Sequence, residues 1–213
     1  MHMLAPGAQV PAPPDGIRPG QLGVVMLRRV IIGDIAATLV DLSIHGLLRV
    51  EEQSGGGHTD WLVSPLRTTA PRHRRESLLR YERTLLDELA RSGPAASLPS
   101  LAPRIPQVLE AARAALIRDA VHRGWLRRLH HDQRTEAGEQ LAARIRAFQH
   151  GLRQLAAEQG EDALTGPLLP YALHFGMIHS DQLPLAAFAP LGGNLRSFAG
   201  LAHARAQAAQ PPG

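Results

Sequence analysis

Eight basic side chains fall within a short stretch of this chain: Arg113, Arg118, Arg123, Arg127, Arg128, His130, His131 and Arg134. Planar guanidinium forks match the oxygens of phosphates and carboxylates, so the cluster points to a nucleic-acid surface or an acidic partner. The same residue types at a helix end also complement the helix dipole, and Glu110 and Asp119 dilute the field. A second group, Trp125, Tyr171, His174, Phe175 and His179, combines aromatic surface with titratable nitrogens. That mixture suits a small-molecule pocket or acid–base work by a histidine. His130 and His131 are adjacent, and His174 and His179 are five apart, off the spacing that stacks two ligands on one helix face. No metal site is predicted.

Other chemistry finds no support in the spacing. The chain has no nucleophile elbow, P-loop or dinucleotide fingerprint, and Gly55-Gly56-Gly57 lacks the Lys and helix of a phosphate cradle. Glu51 and Glu52 would lie on opposite strand faces. Ser43, Ser64 and Ser180 have no base partner visible in the sequence. No cofactor is implied. Cysteine is absent, which excludes disulfides, thiol nucleophiles and thiolate zinc sites.

The 213 residues suffice for one large domain or two small ones. Apolar residues make up 44% but aromatics only 4%, so the core must be aliphatic, which favours helices. There is no Lys, the 23 residues of the Lys and Arg count are all Arg, and the net charge of +4 is modest. No run approaches the roughly 18–20 apolar residues of a membrane span, and no signal peptide is visible. The expectation is a soluble, cytoplasmic protein.

These residues need elements to position them. Residues 1–18, rich in Pro, read as an extended lead-in. Residues 19–70 read as a first winged-helix-like unit. Its short helix opens at Pro19, and a second helix begins near Gly33 or at Asp34 as N-cap. Gly46 stops that helix, and a hairpin runs from Leu47 to Val63 with its tip at 54–57. Asp34, Thr38, Asp41 and His45 would form the exposed face of the second helix. Two carboxylates there argue against DNA and for a protein or peptide partner.

Residues 76–135 read as a second unit. LLRYERTLLDELA is amphipathic, SGPAASLPSLAP is a connector, a helix runs from about Ile105 to Arg123, Gly124 stops it, and WLRRL is a short strand. SIHGLLRV echoes AVHRGWLRR. Residues 136–205 form a C-terminal helical segment packing on both units. Within it, a helix over 135–159 carries Leu141, Ile145, Phe148, Leu152 and Leu155 on one stripe. Residues 206–213 form a flexible tail.

The segments PPDGIRPGQLG, DIAATLVDLSIHGLLRVEE with DWLV, YERTLLDEL, RGWL and LLPYALHFG occur in this order over roughly residues 11–180. Together they resemble the C-terminal cytoplasmic region of the YciQ-like predicted membrane proteins, a family of unknown function. Members of that family carry an extracytoplasmic β domain and transmembrane helices ahead of this region, and a Trp soon after the LPYA segment. Here HSDQLPLAAF has no Trp. The resemblance therefore implies a stand-alone version without the span, and it carries no reaction.

The fold expected is mainly α with small β-hairpins, as tandem winged-helix-like units plus C-terminal helices. The function expected is a non-enzymatic interaction module for a protein or peptide partner. The alternatives are a DNA-binding regulator using the basic second unit, and a metabolite-binding protein or atypical biosynthetic enzyme with a pocket near residues 171–179.

Overall fold

A computed structural model of the chain describes residues 10–55, 58–66, 77–91, 93–97 and 105–178. The protein is mainly helical with small β-hairpins. The elements are α1 (Leu22–Leu27), α2 (Ile32–Ile44), β1 (Leu48–Gly55), β2 (His58–Pro65), α3 (Arg80–Ala90), β3 (Ala96–Ser97), α4 (Ile105–His122), α5 (Glu136–Gln159) and α6 (Leu169–His174). Single 3-10 turns occupy Pro14–Gly16 and Pro19–Gln21 ahead of α1, and Glu161–Ala163 and Gly166–Leu168 ahead of α6.

Two of the helices stop by the same device. Gly46 (φ 68°) and Gly124 (φ 70°) take the left-handed conformation that a side chain would strain. After α2, Leu47 N–H bonds the Leu42 carbonyl (2.8 Å) and Gly46 N–H bonds the Ser43 carbonyl (3.0 Å). After α4, Trp125 N–H bonds the Ala120 carbonyl (2.8 Å) and Gly124 N–H bonds the Val121 carbonyl (3.0 Å). These are two Schellman caps, each satisfying carbonyls the helix leaves open.

The first hairpin pairs antiparallel from Leu48↔Pro65 to Gly55↔His58, longer than the sequence pattern suggests. A third strand joins it: β3 pairs β2 through Leu62↔Ser97 and Val63↔Ala96. That segment reads as a connector in the sequence, because two small residues among Pro and Ser carry no strand pattern. The second hairpin is reduced to one bridge, Leu126↔Arg134, with Arg127 N–H on the Gln133 carbonyl (2.9 Å). Only Leu126 is buried there, so no alternating apolar face exists to extend a ladder.

Two main cores form. One joins Ile17 and α1 (Leu22, Val24, Val25) to Ala120, Leu126, the α5 stripe (Leu141, Ile145, Phe148, Leu152, Leu155) and Tyr171. The other joins α2 (Ile35, Leu39, Leu42), the hairpin (Leu48, Val63), α3 (Leu85, Leu86, Leu89) and α4 (Val108, Ala112). Each core thus draws on residues from both the 19–70 and the 76–135 stretches. The expected α5 stripe is buried in full, and Thr135 caps the helix, its Oγ1 accepting Gly138 N–H at 3.1 Å.

The N-terminal segment departs from an extended lead-in. Ile17 is 1% exposed, and Pro19, Gly20 and Gln21 are buried. The Tyr171 hydroxyl donates to the Ile17 carbonyl at 2.6 Å, across 154 residues of chain. Pro rigidity here lowers the entropy lost when the segment is locked between helices.

Candidate functional site

The carboxylates of α2 do not form a recognition face. Asp34 is 0% and Asp41 6% exposed, and Thr38 is buried with them. Nor is Asp34 the N-cap. Ile31 holds that position, and Asp34, three residues on, reaches back so that its Oδ2 accepts Ile31 N–H (2.8 Å) while Oδ1 accepts Gly23 N–H (2.8 Å). This is one half of a capping box: the third helical residue satisfies the N-cap N–H, while the apolar Ile31 side chain cannot return a bond to the Asp34 N–H. Glu82 does the same at the start of α3, its Oε2 accepting Leu79 N–H at 2.7 Å.

A polar hub sits between α2, α3 and α4, held by the 3-10 turn at Pro19–Gln21. Arg18 lies 3.9 Å from Asp41 Oδ2 and 3.8 Å from Glu82 Oε1. The Gln21 amide donates to Asp119 Oδ2 at 2.5 Å. Asp41 in turn pairs with His45 (3.3 Å), and Asp119 with Arg123 (3.0 Å), one turn further along each helix. Burial pushes the Glu82 carboxyl above the usual carboxylate range, against the pull of the Leu79 amide and Arg18. Burial, then the Glu82 and Asp41 charges, push the Tyr81 hydroxyl well up, so it stays protonated. The cleft among Arg18, Asp41, His45, Leu47 and Glu82 has a volume of about 10 Å³. That is room for about one water molecule and none for a metabolite. The hub positions helices; as a ligand site it is too small.

The aromatic group near residue 171 is spent on packing. Tyr171 meets Phe148 edge-on at 5.3 Å, and Phe175 meets His174 the same way at 5.3 Å. Burial raises the Tyr171 hydroxyl well above its ordinary range, which keeps it a donor to Ile17. His174 Nδ1 lies 3.2 Å from Asp34 Oδ1 but makes no aligned hydrogen bond. Trp125 is half-buried against the same core, with the Arg123 guanidinium 5.1 Å above its ring. His179, and the side chain of Trp61, lie outside the described residues. Among the described residues no group of three His, Asp or Glu could hold a metal.

The basic cluster divides into fixed and free members. Arg134 is fixed: its Nε donates to the Val25 carbonyl (2.6 Å), Nη2 to the Met26 carbonyl (2.5 Å) and Nη1 to Glu139 (2.9 Å). Those carbonyls belong to the last turn of α1, so Arg134 acts as a C-terminal clamp. Arg123 is held by Asp119 and Trp125. Arg113 lies 3.4 Å from Glu110, and both are exposed. Arg118 is exposed on α4, away from the turn. Arg127, Arg128, His130 and His131 are exposed on the turn that joins α4 to α5, with no ion pair among the described residues. Between them stands Leu129, 87% exposed. The candidate site is therefore this protruding basic turn with an aliphatic apex.

Sequence reasoning picked out the arginines but not Leu129, because an exposed leucine is invisible in a composition that needs leucine for its core. Compared with known proteins, the chain matches no family model, no curated protein and no solved structure. No helix among the described residues is long and apolar enough to cross a membrane.

Proposed function

We propose that this protein is a non-enzymatic interaction module that binds an acidic protein or peptide partner through the turn at residues 127–131. The observation that carries this reading is Leu129, 87% exposed and flanked by Arg127, Arg128, His130 and His131. An exposed large aliphatic side chain within a ring of charge suits the centre of a protein interface with a polar rim. Nucleic acid is the weaker fit. Phosphates gain nothing from the exposed leucine, whereas an acidic peptide with aliphatic side chains can cover it. Because Asp34 and Asp41 of α2 are buried, this reading rests on the turn and not on the first hairpin unit.

The test is a native pull-down with the wild-type chain and with Arg127→Ala/Arg128→Ala as baits. A protein recovered by the first and lost by the second supports the reading. Equal recovery, or recovery of none, counts against it. A low-salt shift of duplex DNA that disappears in the variant would reassign the surface to nucleic acid.

A further inference from the structure

The end of α1 lies beside the same turn. Arg134, cross-paired with Leu126 at the base of the turn, grips the carbonyls of Val25 and Met26. The next three residues, Leu27, Arg28 and Arg29, are exposed, Leu27 to 44%. No ion pair holds Arg28 or Arg29 among the described residues. Arg28 has φ 59° and is the one non-glycine with positive φ among them. Glycine takes that conformation without strain, as at the ends of α2 and α4. Here the helix end carries an arginine in a conformation that costs an L side chain, and among the described residues its guanidinium has no hydrogen bond or ion pair.

We infer that Leu27, Arg28 and Arg29 complete the surface begun by Arg127, Arg128 and Leu129, and that its partner is an acidic segment bearing aliphatic side chains. The inference rests on the reading of the basic turn as a partner site. Arg28, Arg29, Arg127 and Arg128 are exposed together with Leu27 and Leu129, on two segments that Arg134 ties together at the base of the turn. Carboxylates would meet the arginines, and aliphatic groups would cover Leu27 and Leu129. Neither half presents both an apolar pair and four cations by itself.

The experiment is fluorescence anisotropy of the full chain with three labelled synthetic peptides: alternating Glu and Leu, Glu with Ser, and Lys with Leu. The Glu–Leu peptide should bind tightest, and its affinity should fall as salt rises. Arg28→Gly should weaken it about two- to fivefold, the range of an exposed ion pair, and should leave the melting temperature equal or higher. Leu27→Ser should reduce the preference for Glu–Leu over Glu–Ser. If Arg127→Ala/Arg128→Ala weakens binding while Arg28→Gly and Leu27→Ser do not, the extension to α1 is wrong and the turn stands. If none of the acidic peptides binds, or the Lys–Leu peptide binds as well, the reading of the turn falls with it. Equal affinity for Glu–Leu and Glu–Ser overturns the aliphatic half.

Discussion

Gly20 sits where three helices converge on the N-terminal segment. A Cβ there would lie 2.1 Å from Thr38 Oγ1 and 2.9 Å from a ring carbon of Tyr81, both buried. Gly20→Ala should therefore lower stability by about 1–3 kcal/mol, the usual range for overpacking, read as a shifted urea midpoint with unchanged slope. Glu82 makes a pH prediction. Its folded carboxyl titrates above its unfolded one, so between the two values the folded chain holds the extra proton. The stability this group contributes is complete below the unfolded value and is lost as pH rises through the folded one. Glu82→Gln keeps an oxygen for Leu79 N–H and removes the titration. The melting temperature of wild type relative to the variant should drop as pH rises through the acidic range, and parallel profiles would refute the assignment. The sequence hid these roles. Asp34, Asp41 and Glu82 look like solvent-facing charges, because a buried carboxylate is recognisable only from the amides and cations that surround it.

At the level of elements, the match between DLSIHG and DAVHRG is more than a likeness of letters. Asp41 and Asp119 each pair with the residue four on, each precedes a left-handed glycine by five, and each faces Arg18 or Gln21. The glycines and the helix ends were legible because cap chemistry is local. The clamp was not. Arg134 bonds carbonyls more than a hundred residues away, so nothing near it in sequence marks it out. Arg134→Ala should cost about 2 kcal/mol, given roughly 1.5–3 kcal/mol for hydrogen bonds to a charged group, measured by chemical denaturation. Arg134→Lys should recover little of it, since an ammonium cannot span two carbonyls and Glu139 at once. Full recovery by lysine would mean the charge alone matters.

For the whole molecule, α4 joins the cores: Val108 and Ala112 lie in one, Ala120 in the other, and Ala115 and Leu116 pack with Tyr81 between. Unfolding should accordingly be one cooperative transition, with calorimetric and van't Hoff enthalpies equal. Two resolved transitions would show that the cores melt apart. The sequence by itself determined the helices with strong periodicity, the glycine stops and the hairpin, because each depends on residues within a few positions of one another. Tertiary structure alone decided which charges are buried, that β3 completes the sheet, and that α1 ends beside the basic turn. Those outcomes depend on which distant surfaces meet, and neither residue periodicity nor composition encodes the environment that a neighbour from elsewhere in the chain creates.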